Sequence, residues 1–243
     1  LGNDANGGTD WTESNLDAAD QSQDSPTNNF CTLNPLNNSS YETLANGNNT
    51  ASGTAADNGS VMSTLNPNGG KWYVETKCTP GSGSYDDYYP KVGITQINTA
   101  NYGRLLNAAG GQAGRYPGTF YVMPDGTLVV DASDNASWMT AFTSGGNIGI
   151  AVDCDNGAAY VALNNSWQNS GDPTSGASKT GAAVTWTPAD SDGIAFGSSD
   201  YSSSSSEWNF GNGCFGNTVV TSAEADGNGY GLFEYAPPSG YLA

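Results

Sequence analysis

At 243 residues the chain is long enough to bury a sizeable core, as one large all-β domain or two small ones. Its formal charge is −18, with only Lys71, Lys77, Lys91, Lys179, Arg104 and Arg115 on the positive side, so a polyanion such as nucleic acid is repelled. Histidine is absent, which removes His-dependent nucleophile triads and His-based zinc sites, and no apolar run approaches the roughly 20 residues of a membrane-spanning helix.

Residues 1–29 are polar, acidic and rich in Gly and Asn, with Trp11 and Leu16 as the bulky apolar side chains beyond the first residue. They read as an arm or linker that leans on something through Trp11. Residues 30–243 form the ordered domain, which opens with a short strand at 30–36. Residues 37–58 read as loop, anchored in part by Tyr41 and Leu44. Residues 70–78, GKWYVETKC, alternate cleanly: Trp72, Val74 and Thr76 share one face, Tyr73, Glu75 and Lys77 the other. An aromatic on each face predicts a central strand with one side in the core and the other half covered. Residues 85–89, YDDYY, form a loop crowded with exposed aromatics and carboxylates, and Val92-Gly93-Ile94 begins another strand. Residues 98–109 hold a short turn of helix. Pro124-Asp125-Gly126 is a turn between strands at 119–123 and 127–131, since Pro presets φ and Gly accepts the reversed value.

Residues 149–173, GIAVDCDNGAAYVALNNSWQNSGDP, are the clearest hairpin. Ile150, Val152 and Cys154 alternate with polar or small residues, Asp155-Asn156-Gly157 supplies a tight turn, and 158–163 is the return strand. Asn164-Asn165 turns the chain again before Trp167. Further strands fall at 184–186 and 193–196. Residues 201–207 carry five consecutive serines and read as a flexible loop, while 208–211 and 231–235 close the domain. Frequent turns between short alternating runs predict an all-β sandwich or barrel. Trp72, Trp186 and Trp208 sit in strand patterns and are expected in the core.

The chemistry-bearing side chains are few. Asp86/Asp87, Asp153/Asp155 and Asp190/Asp192 are the carboxylate pairs that a glycosidase mechanism would need, and turn chemistry accounts for all three. Calcium at Asp153 and Asp155 would lack the later glutamate of a calcium loop, so no cofactor or metal is expected. Sugar binding requires exposed aromatics beside polar groups; Tyr85, Tyr88 and Tyr89 with Asp86 and Asp87, or Tyr102 with Arg104, supply that combination. The plainer reading of the same tyrosines, and the one favoured, is that they pack their own loop or a subunit contact. Cys31, Cys78, Cys154 and Cys214 admit three disulfide pairings, and a Cys31–Cys214 bridge forms only if the two ends of the domain meet. Cys154 reads as a free, buried thiol. A first residue other than Met, with no secretory signal after it, is expected of a processed product or a piece of a longer polypeptide.

With its elements in order, the chain resembles the SPRY-type domains of bacteriophage structural and tail-fibre-like proteins. The matching pieces are SPTNNFCTLNPLN at 25–37, GKWYVE at 70–75, GIAVDCDNG at 149–157 with NNSWQNSGDP at 164–173, EWNFGNGCF at 207–215 and YAPPSGYLA at 235–243. The resemblance implies a bent, concanavalin-like antiparallel β-sandwich whose terminal segments lie near one another, and a binding or assembly module in place of a catalyst. In such proteins a laminin-G-like domain commonly precedes the Trp11 arm. Residues 94–120 and 216–229 are longer and richer in glycine than the pattern, and Cys214 stands where a basic or small residue is usual. The resulting expectation is an extracellular or virion-surface fibre module. Its partners would be copies of itself, other fibre or virion proteins, or a host-surface glycan, with no nucleic acid and no membrane insertion. The alternatives are a repeating subunit of a helical surface filament, its arm packed on the next protomer, and a carboxylate-dependent carbohydrate-active enzyme.

Overall fold

A computed structural model describes residues 29–54, 59–81, 89–97, 119–131 and 133–243. Two antiparallel sheets stack face to face. The larger runs β12 (Ser166–Trp167), β11 (Ala158–Leu163), β10 (Gly146–Asp153), β5 (Lys71–Thr79), β15 (Ser205–Asn209), β3 (Thr50–Gly53) and β2 (Glu42–Ala45), with β13 (Val184–Thr185) also on β11. The smaller runs β1 (Leu33–Asn38), β4 (Val61–Ser63), β14 (Gly193–Ser199), β6 (Lys91–Ile97), β7 (Thr119–Val122), β8 (Leu128–Val130) and β9 (Ser133–Asn135). A separate ribbon pairs β16 (Cys214–Phe215) with β17 (Thr218–Val219).

The alternation read in residues 70–78 sets the layering. β5 lies between β10 and β15, with Val74 opposite Ile150 and Trp72 opposite Val152, so these side chains share the inner face. There they meet Val92 and Ile94 of β6, Phe120 and Val122 of β7, and Ile194 and Phe196 of β14 in one core. Trp208 is fully buried in it and stacks on Phe210 at 5.5 Å between ring centroids.

The other face of β5 is fully covered at Tyr73 and Glu75 and half covered at Lys71 and Lys77, in line with the half cover expected. Tyr73 is 2% exposed and packs with Tyr160, Phe233 and Tyr241 in a second cluster. The cover is the C-terminal segment: Leu242 pairs in parallel with Trp72, its N–H donating to Lys71 O and its carbonyl accepting from Tyr73 N–H, each at 2.9 Å. Glu75, also buried, draws that segment down. Its carboxylate accepts from Glu234 N–H at 2.8 Å, Tyr235 N–H at 2.9 Å, the Tyr73 hydroxyl at 3.1 Å and the Asn209 amide at 3.4 Å.

The central hairpin forms as read, but its two turns exchange roles. Asp153 and Ala158 close a four-residue connection in which only Gly157 has positive φ (71°), whereas Asn164 and Asn165, at φ 47° and 66°, form the two-residue turn between Leu163 and Ser166. Two further expectations are corrected. Residues 37–58 contain the β2–β3 hairpin, whose small residues give a weak alternation but let Ala51 and Leu44 reach the core. The serine run is ordered: Ser202 and Ser203 make the turn, and Ser204 and Ser206 are fully buried because their hydroxyls bond Asp200.

Candidate functional site

Of the carboxylates singled out in the sequence, Asp153 and Asp155 fasten the central hairpin. Asp153 is tied to Lys71 at 3.1 Å and accepts from Asn156 N–H at 3.0 Å and from its amide at 2.8 Å. Burial pushes the Asp153 carboxyl up, but the Asn156 donors and Lys71 outweigh it, and the net direction is down. Asp155 accepts from Gly70 N–H at 2.8 Å, closing the turn onto the start of β5. Asp190 and Asp192 are exposed beside the short turn Pro188–Asp190. No cluster of three or more metal-ligating side chains occurs among the described residues.

Of the proposed sugar platform, only Tyr89 falls among the described residues, and it is 6% exposed. The Lys91 ammonium lies 4.3 Å above its ring and donates to its hydroxyl at 3.2 Å, while the Tyr201 ring sits 5.5 Å away. Tyr89 is therefore buried, against the exposure expected of it, and packs on side chains of this chain. Tyr85, Asp86, Asp87, Tyr88, Tyr102 and Arg104 lie outside the described residues, as do Trp11 and Leu16 of the arm.

All four cysteines are free thiols, so the Cys31–Cys214 bridge is not formed. Cys31 Sγ instead bonds Thr64 Oγ1 at 3.4 Å and accepts from Leu65 N–H at 3.4 Å, and Cys214 is buried in the β16–β17 ribbon. Burial pushes the thiols of Cys31 and Cys78 up and that of Cys154 up to about 12, which leaves them protonated and poorly nucleophilic.

One feature among the described residues that is shaped to take a ligand was not visible in the sequence. A cavity of about 350 Å³ opens between the two sheets. Val74 and Phe196 line it, one from each sheet, with Phe210, Trp72, Cys31 and Leu65, the last 53% exposed. It exists because β15 pairs with β5 only from Glu75 onward. At Phe210 the chain swings away, and the gap left beside Trp72 and Tyr73 is filled only in part by Leu242 and Ala243. Asn29 and Ala243 also line it, so the first and last of the described residues meet at one site. Trp72 was read as core, and it packs on the core while also facing this opening, as does the buried Phe210. A second, smaller space of about 100 Å³ lies under Trp186 and Asp131.

No family model and no curated protein matches the sequence. Among solved structures, the chain is similar to the SPRY domain of human HERC1, with a TM-score of 0.54 at 11% identity, covering 72% of this chain and 96% of that one. It is also similar to the PSpry domain of TRIM65, with a TM-score of 0.48 at 11% identity, covering 74% and 92% of the two chains. The class of protein is thereby defined by its fold: an antiparallel β-sandwich of the SPRY type.

Proposed function

We propose that this chain is a non-enzymatic assembly module of an extracellular fibre or appendage, which takes apolar side chains of a neighbouring subunit into the cavity beside Leu65. One observation carries the reading: a largely apolar space of about 350 Å³, lined by Trp72, Phe210 and the exposed Leu65, in a chain of net charge −18. Spaces of roughly 300 Å³ and more, apolar with a few polar groups at the rim, are the usual form of a recognition pocket. Asn29 and Asn66 are the exposed polar groups here.

The occupant we assign is the arm of another copy. Residues 1–29 end at the cavity's own rim, and Trp11 and Leu16 are bulky apolar groups in an otherwise polar segment. Seventeen residues separate Trp11 from Asn29, a reach of up to about 60 Å when extended, enough to span to an adjacent subunit. The fibre setting and viral surface location are supported by the ordered series of motifs from 25–37 to 235–243. Host-glycan recognition, in the same reading, belongs to Tyr85, Asp86, Asp87 and Tyr88 with Tyr102 and Arg104.

Sedimentation velocity of the full chain tests the assembly reading. Concentration-dependent association is expected, weakened at least tenfold by Trp11→Ser and by Leu65→Glu, with circular dichroism unchanged. Association that persists in both variants, or a chain that stays monomeric at high concentration, defeats it. A glycan array probed with the chain and with Tyr85→Ala separates the glycan role from the assembly role.

A further inference from the structure

Glu42 and Asp200 bring two carboxyl groups together across the sandwich. Glu42 begins β2, the outer strand of the larger sheet, and Asp200 directly follows β14, an inner strand of the smaller one. The Asp200 N–H donates to Glu42 Oε1 at 2.8 Å. Asp200 Oδ1 accepts from Ser204 Oγ at 3.3 Å and Oδ2 from Ser206 Oγ at 3.2 Å, and Ser206 Oγ accepts from Trp208 Nε1 at 3.2 Å. Glu42 is 5% exposed and Asp200 is 0% exposed. Gly59 packs so closely that an added Cβ would stand 2.4 Å from Glu42 Cγ. Glu42 Oε2, buried, has no hydrogen-bond partner among the described residues.

Among the described residues the site lacks one thing, a donor between the two carboxyls. Both side chains ionised would leave like charges in contact in a medium that screens them poorly, and Glu42 Oε2 would stay unsatisfied. One proton removes a charge and supplies the missing donor in the same step, the arrangement of other carboxyl pairs forced together. We infer that Glu42 and Asp200 share a single proton, forming a carboxyl–carboxylate clamp between the two sheets that holds while the proton is bound and loosens when it is lost.

The surroundings agree. Burial, then the Asp200 charge, holds the Glu42 carboxyl well above the usual carboxylate range, and burial pushes Asp200 up to about 7 against the pull of its hydroxyl donors. On β5, Cys78 faces the pair, its thiol raised by burial and then by Asp200. On β6, Lys91 is the ladder partner of Ser199, but its ammonium lies over the rings of Tyr89 and Tyr121. Tyr201 packs on Tyr89, and Glu207 of β15 answers to Lys77. β3 and β4 carry no titratable side chain. Because the folded chain holds a proton that the unfolded one releases near pH 4, the clamp's contribution is complete below about pH 4. It is lost as pH rises through the raised folded value of the pair.

Glu42→Gln tests the clamp, since its amide oxygen can still accept from Asp200 N–H while its N–H₂ donates permanently to the Asp200 carboxylate. Thermal midpoints of the full chain are measured from pH 5 to 8.5. The unsubstituted chain is expected to lose about 5 °C more than Glu42→Gln across that range, and the difference infrared spectrum at pH 6 is expected to show a protonated carboxylic C=O band that Glu42→Gln lacks. Equal pH slopes or no such band overturns the proposal. If Glu42→Gln does not fold, Asp200→Asn, which places its amide N–H toward Glu42 Oε2, takes the same measurements, and the unsubstituted chain's own band still decides. A midpoint raised by calcium and lowered by chelator, with no carboxylic band, overturns it in favour of a bound cation.

Discussion

Glu75 shows how one buried carboxylate can fasten a whole segment without a cation. Two backbone N–H groups of 234–235 and two side-chain donors converge on it, and burial raises its carboxyl while those donors pull the other way. Glu75→Ala leaves these donors buried without an acceptor and is expected to cost about 3 kcal/mol in urea unfolding, with new proteolytic cleavage within 233–243. Asp153 has the opposite sign. Its lowered carboxyl contributes stability that is present above its unfolded value and lost as pH falls below about 4, and Lys71→Met is expected to flatten that acid limb. The cysteines give a direct count: four thiols are expected to react with a disulfide reagent once the chain is unfolded, and Cys78 and Cys154 not before. Two reactive thiols would instead show that one disulfide forms, and peptide mapping would test whether it is Cys31–Cys214.

At the scale of elements, the central hairpin depends on positions that admit no side chain or only a special one. Gly157 has φ +71°, and an added Cβ would stand 2.2 Å from Trp186 O, so Gly157→Ala is expected to destabilise by about 2 kcal/mol or more in chemical unfolding. The C-terminal cover rests on Tyr241, which is fully buried; its ring lies under Lys71 and its hydroxyl donates to Pro173 O at 2.9 Å. Tyr241→Ala is expected to cost about 3–5 kcal/mol and Tyr241→Phe about 1 kcal/mol, the difference separating packing from the hydrogen bond. The strands β5, β10 and β11 were legible because their alternation is long and contains Trp72, Val74, Ile150, Val152 and Tyr160. β2, β3 and the start of β15 were not, because ETLA, TASG and SSE carry too few apolar side chains to show a period. Their burial comes from close packing and from a carboxylate that collects hydroxyls.

Over the whole molecule, charge and shape pull in different directions. Six carboxylates in residues 1–29 would dock on a body that is itself acidic, so the proposed assembly is opposed by repulsion at low salt. Sedimentation at about 0.02 M and about 0.5 M salt is expected to show tighter association at the higher value, the reverse of a contact held by ion pairs. The amino-acid sequence by itself determined the all-β class, the central hairpin and the lack of histidine chemistry, because alternation, turn residues and residue types are local properties. The resemblance carried by its motifs extended that reading to a SPRY-type sandwich. Only the tertiary structure decided that Phe210 parts from β5 to open a cavity, that Glu75 faces 234–235 and that Glu42 meets Asp200. Those contacts join residues about 130 to 160 positions apart, and no periodicity within a strand records which distant backbone will lie against it.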